Sequence, residues 1–148
     1  MTDEKLRVLT VRQPHATLII NRIKDVENRS RRTHYRGSLL IHSAKVFGRA
    51  NEEAALDTIQ THGINMIDAM LLCSPHWAPR GFILGTVEVV GCVQDSSSEW
   101  AEPGKWHWIL ENPQPWPEPV LWRGQQGLWQ ITQAELDEKR REMAHDSA

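Results

Sequence analysis

The 148 residues suffice for one domain with its own core, and no apolar run is long enough to cross a membrane. Two distant cysteines, Cys73 and Cys92, exclude a disulfide framework and a CxxC pair, and the start Met-Thr-Asp-Glu-Lys lacks an apolar signal segment, so the cytoplasm is the expected location. The formal net charge of -2 conceals an asymmetry: residues 1–49 hold eleven lysines and arginines against four acids, giving +7 there and -9 in the remainder. A basic face on an acidic body is the footprint of a protein that meets a polyanion at one place; the alternative is a solvated basic surface.

Arg7 to Val11 alternates as a short strand, and Gln13-Pro14 breaks it. Pro14 suits a first helical turn, and Ala16, Ile19, Ile20 and Ile23 fall on one apolar face, with Arg22 and Lys24 at the helix end, where cations suit its dipole. Val26 to Arg29 reads as extended, which puts Glu27 and Arg29 on one side and Val26 and Asn28 on the other. Tyr35-Arg36-Gly37 is a turn, and Ser38 to Ser43 is an apolar strand that carries His42 near its end.

Asn51-Glu52-Glu53 has the form of a helix cap with first-turn acids, Gly63 stops that helix, and Asn65 to Cys73 forms a further short one. Pro75 to Pro79 is a loop. Gly81 to Val93 is the clearest strand, with Ile83, Val87, Val89 and Val93 expected on one face and Leu84, Thr86, Glu88 and Cys92 on the other. Gly85 and Gly91 permit a bend or a close approach there. Lys105 to Leu110 alternates, with Trp106 and Trp108 on one face and at least one of them inside. Glu111 to Pro119 holds four of the eight prolines and is not expected as a central strand. Val120 to Trp122 and Leu128 to Ile131 read as a hairpin across Arg123 to Gly127. Thr132-Gln-Ala-Glu135 is a capping box that starts a helix at about 132–145. Short bent strands with few helices predict an α+β domain on a small, twisted, mixed β-barrel, one domain over 1–148 with its core at about 6–131.

Three linked segments, Leu9-Thr-Val-Arg-Gln-Pro-His-Ala-Thr-Leu-Ile, Lys24-Asp-Val-Glu-Asn-Arg29 and Tyr35-Arg-Gly-Ser-Leu-Leu-Ile-His42, resemble the ASCH domain, the activating signal cointegrator 1 homology domain. Ile83 to Val93, Trp108 to Pro113 and Gly124 to Trp129 follow in the family's order. The resemblance implies a PUA-like β-barrel with flanking helices, a cleft beside the first helix, and binding of RNA or single-stranded DNA. In a small branch of similar proteins a Lys, a Thr three residues on, and a Glu hydrolyse the amide of acylated cytidines; nuclease activity has been proposed for others. Lys24 matches that lysine, but Glu27 stands where the branch has its hydroxyl, and Glu99 and Glu102 are the candidates for its glutamate. That departure argues against the amidohydrolase.

For binding, Arg12, Lys24, Arg29 and Arg36 are the expected contacts to phosphates or base edges, with Gln13 and Asn28 reading base amides and carbonyls. Glu27, between two cations, would orient them; a purely structural ion pair is the alternative. Gln13 could equally be only a helix cap, beside an anion site at the helix start. An enzyme would draw on Lys24, Glu27 and His42, and a satisfied strand-end histidine is the other reading of His42. Trp77 and Trp100 lie in loops and are the tryptophans expected at the surface, where a base could stack. No histidine has ligand spacing with cysteines or acids, so no metal and no cofactor is expected; no membrane is expected as a partner, and a protein-interaction module using the tryptophan-rich half, its partner unknown, has only composition behind it.

Overall fold

The computed structural model describes residues 3–45, 49–74 and 76–146. Its elements are β1 (Lys5–Val11), α1 (His15–Ile20), β2 (Val26–Arg29), β3 (Gly37–Ser43), α2 (Arg49–Thr61), α3 (Met66–Cys73), β4 (Phe82–Val93), β5 (Trp106–Leu121), β6 (Leu128–Thr132) and α4 (Gln133–Asp146). The backbone of Asn51 lies inside α2 rather than at its cap; the side chains of Asn51 and Glu52, and Pro75 in the expected loop, lie outside the described residues.

The fold is α+β, with a six-stranded sheet of order β2-β5-β4-β3-β1-β6. Only β1 and β3 run parallel; the other pairings are antiparallel. The expected β-barrel is not closed, because no ladder joins the two end strands β2 and β6 among the described residues. β2 is four residues long and pairs only with Trp106 to Ile109. The curl of the sheet nevertheless returns β2 to β1: Arg29 donates through Nη2 to the Thr10 carbonyl at 2.6 Å, a side-chain tie where a barrel would have backbone pairs.

The concave side packs α1 residues Ala16, Ile19 and Ile20 against Leu9, Val11, Leu39, Ile41, Val87, Trp108 and their neighbours. Burying each such Leu or Ile contributes ~1.5–3 kcal/mol, so this cluster fixes α1 and with it the rim of the cleft described below. On the other side α4 sets Leu136 against Val8, Leu40, Ile83, Val120, Trp129 and Ile131. A third cluster joins α2 and α3 to the back of α1 through Leu18, Ile59, Cys73 and Trp100. Trp100 is therefore buried, contrary to expectation, while Trp77 is exposed. Ile23 is also outside the core, because α1 ends at Ile20. The reciprocal capping box forms, with Glu135 N–H donating to Thr132 Oγ1 and Thr132 N–H to Glu135 Oε1.

Two strand readings change. Register shifts in β4 put Leu84, Val87, Val89 and Cys92 in one cluster and Ile83 in another, so the strict alternation over this strand does not hold. Gly85 marks the closest approach: at φ 156 its missing Cβ would lie 2.2 Å from the Gln114 carbonyl oxygen. The proline-rich segment does belong to a strand, since β5 continues through it to Leu121. Two register shifts accommodate the prolines: β5 has extra residues opposite β4 at 112–113 and 116–119, which take in Pro113, Pro117 and Pro119, while Pro115 lies opposite Gly85, and β2 does not extend far enough to need an N–H from any of them. Nor do β5 and β6 form a hairpin: β6 crosses to pair with β1, leaving Arg123 to Gly127 as an open loop.

Candidate functional site

A cleft of 1610 Å³ opens where β1 ends and α1 begins. Its walls come from Thr10 to Arg12, β2, Lys45, Arg80, the segment around Glu102 and Lys105, the loop from Leu121 to Gly127, and Lys139 of α4. Among the described residues eight lysines and arginines line it against two glutamates, Glu27 and Glu102. The volume exceeds the ~300–1,000 Å³ usual for a small-molecule pocket and suits an extended ligand.

Its inner end is built by an abrupt chain reversal. α1 stops at Ile20, Arg22 takes a left-handed φ of 66, and the N–H groups of Ile23 and Lys24 both donate to the Leu18 carbonyl. The reversal carries Lys24 back to the first residue of α1, where its Nζ donates to His15 Nδ1 at 2.9 Å. An accepting Nδ1 requires the neutral imidazole. Burial is the largest cause of that state, lowering His15 from 6.5 to about 4, and the charges of Lys24 and Arg12 act in the same direction. Lys24, only 5% exposed, is likewise lowered chiefly by burial; Glu27 and Glu102 oppose the shift, and Arg29 adds to it. Glu27, 6% exposed, accepts from Arg29 Nε at 2.8 Å. The extended spacing read from the sequence holds for three of the four residues: Glu27 and Arg29 face the cleft together and Val26 points into the core behind α1, but Asn28, expected beside Val26, also lines the cleft.

A pH dependence follows from His15. Its folded pKa lies below the unfolded one, so the unfolded chain takes up a proton as pH falls through 6.5 while the folded chain resists until about 4. Thermal stability is expected to decline across that window, and His15→Gln to flatten that part of the decline. Melting curves recorded at stepped pH check it.

The ASCH domain pattern matches residues 9–128, most of the chain. The chain belongs to the ASCH domain family. No curated protein sequence matches it closely enough to count as a relative. The match runs from β1 to the first residue of β6, so every wall of the cleft except Lys139 of α4 lies within the ASCH domain.

Within this ASCH domain the cleft gathers Arg12, Lys24, Glu27, Asn28, Arg29 and His42 of the residues expected from sequence. Gln13 is not on its lining. The buried Gln13 amide accepts from Thr17 N–H and donates to Thr17 Oγ1 and the Pro79 carbonyl, so it caps α1 and ties it to the 76–80 segment. Asn28 is also engaged on both sides, donating to the Trp100 carbonyl and accepting from Glu102 N–H, which holds Glu102 at the cleft. Arg36 lies outside the cleft, donating to the Thr33 and Tyr35 carbonyls. His42 is a satisfied histidine: Nε2 donates to the Trp122 carbonyl at 2.7 Å, leaving Nδ1 to accept from Thr10 Oγ1, which itself accepts from Trp129 Nε1. Burial lowers its pKa, and its backbone bonds only partly offset that.

Sequence reasoning missed His15, Lys45, Arg80, Lys105, Arg123 and Lys139 as site residues. Lys45 sits in the basic segment, and Arg123 adjoins the Gly124 to Trp129 motif, so signals existed for those two. Arg80, Lys105 and Lys139 come from the acidic part of the chain and reach the cleft only through long-range folding. Of the two candidate glutamates, Glu102 lines the cleft with Lys24 and Glu99 does not.

Proposed function

We propose that this ASCH domain binds RNA or another single-stranded nucleic acid in its cleft. The observation that carries the reading is the charge of the lining, eight cations to two carboxylates in a space longer than one nucleotide needs. Family membership agrees with RNA binding. Half-buried Trp122 on one wall offers a ring face on which a base could stack, a contact worth ~1–3 kcal/mol. Cytoplasmic residence belongs to the same proposal.

The test is the double variant Arg123→Ser with Lys139→Ser, titrated with a fluorescent single-stranded RNA. These exposed or half-buried side chains contribute little to the core, so the melting temperature is expected to hold within error while affinity falls about tenfold. Unchanged affinity would remove the cleft from the binding reaction.

The Lys24–His15 contact favours a second reading, a hydrolase acting on nucleic acid or a modified nucleoside. Burial lowers the pKa of the Lys24 amine and holds it in hydrogen-bond contact with a neutral imidazole, the kind of pair that acid–base catalysis draws on. Against it stand Glu27 in the hydroxyl position, its carboxylate paired with Arg29, and His42 with both nitrogens engaged. Incubation with single-stranded RNA and with N4-acylated cytidine is expected to give neither cleavage nor deacylation; turnover lost in Glu27→Gln would reverse the ranking.

A further inference from the structure

The cleft is not uniformly basic. Its outer part carries Arg12, Lys45, Arg80, Lys105, Arg123 and Lys139, and the two acids of the lining, Glu27 and Glu102, both lie toward Lys24. Its inner end sets the buried Lys24 ammonium and the Arg29 guanidinium beside the buried carboxylate of Glu27, with Glu102 on the same lining and within electrostatic reach of Lys24. At the inner end two carboxylates offset the two cations, whereas along the outer part a phosphate meets cations. The two parts therefore suit different pieces of one ligand.

The inner end has unfilled hydrogen-bonding capacity. Lys24 has three N–H groups, and among the described residues one of them reaches an acceptor, His15 Nδ1. Glu27 engages Arg29 through Oε2, and no described residue donates to its Oε1. Asn28 fixes Glu102 through its backbone N–H, leaving that carboxylate turned to the cleft. Arg29 is spent through Nε on Glu27 and through Nη2 on the Thr10 carbonyl, so Glu27 Oε1 and the Glu102 carboxylate stand as acceptors beside the Lys24 ammonium. They are met best by a neutral group that offers two adjacent N–H donors and one acceptor.

We infer that the inner end takes an unpaired guanine base, with the backbone phosphates on the outer cations. Among the four bases guanine alone presents more N–H donors than acceptors along its pairing edge: N1–H and the 2-amino group face the carboxylates, and O6 faces Lys24. Adenine balances one against one, and cytosine and uracil present more acceptors than donors. The inference rests on the proposed nucleic-acid binding and adds base selection to it.

The experiment uses the full chain and two fluorescent single-stranded RNAs, octauridylate and the same strand with one central guanosine. The guanosine strand is expected to bind about tenfold more tightly. Inosine at that position lacks the 2-amino group and should fall between the two, and adenosine or cytidine should stay near uridine. Glu27→Gln, which exchanges an acceptor for a donor without altering shape, should erase the preference. Should that variant fail to fold, Glu102→Gln is expected to reduce the preference, and the inosine comparison requires no variant. Equal binding of all strands, with its salt dependence intact, overturns the guanine site and leaves the nucleic-acid reading standing. No binding to any strand overturns both.

Discussion

Arg29→Ala is expected to lower the free energy of unfolding by about 3 kcal/mol, the range seen when one partner of a buried ion pair is removed. Two losses combine in it. Glu27 would be left buried, 6% exposed, without the guanidinium that pairs with it, and the Thr10 carbonyl would lose its 2.6 Å donor. That second contact is also the tie between β2 and β1, strands that no backbone ladder joins. Arg29→Lys should recover only part of the loss, because a single ammonium lacks the planar fork that reaches both acceptors at once. Denaturant titration of wild type, Arg29→Ala, Glu27→Gln and the double variant closes a thermodynamic cycle, and a coupling of at least ~1 kcal/mol between the two sites is expected. A loss below ~1 kcal/mol in Arg29→Ala would mark a solvent-screened surface pair and remove the structural role of the Glu27–Arg29 pair.

Lys24 is the counterpart with the opposite balance. Its ammonium is held under α1 against the cost of burial, with a neutral imidazole as its bonded neighbour and only the charges of Glu27 and Glu102 to offset that cost. A charge kept in such a place is characteristic of residues retained for what they contact.

What the sequence made legible was local. The β1–α1–β2–β3 run, the shared face of Glu27 and Arg29, and the Thr132 to Glu135 capping box are each written in residues within a few positions of one another, and each forms. Lys24 was misplaced because a cation after an apolar helical stripe ordinarily belongs to a solvated helix end, whereas the left-handed turn at Arg22 folds it inward. Gln13 and Asn28 show why amides are hard to assign: the same side chain serves a base or a backbone, and only long-range partners such as Pro79 and Trp100 decide. The hairpin expected across Arg123 to Gly127 followed turn chemistry, but β1 offered β6 a ladder and won. The other outer cations were invisible for a related reason, since four of the five, Arg80, Lys105, Arg123 and Lys139, lie in sequence that is acidic overall and meet Arg12 only when the sheet curls.

The most direct test of the central claim, that the cleft binds a single strand through its phosphates, is the affinity of a short single-stranded RNA measured across a salt series. Each phosphate neutralised on a single strand contributes about -0.7 to the slope of log affinity against log salt, so six outer cations with one phosphate each give roughly -4. A fourfold rise in salt should then weaken binding roughly 300-fold, a larger effect than any single substitution in the cleft is expected to produce. The Arg123→Ser, Lys139→Ser variant should lose about 1.4 of that slope, two phosphates' worth. A flat salt dependence in the wild type, or an unchanged slope in the variant, would contradict the account.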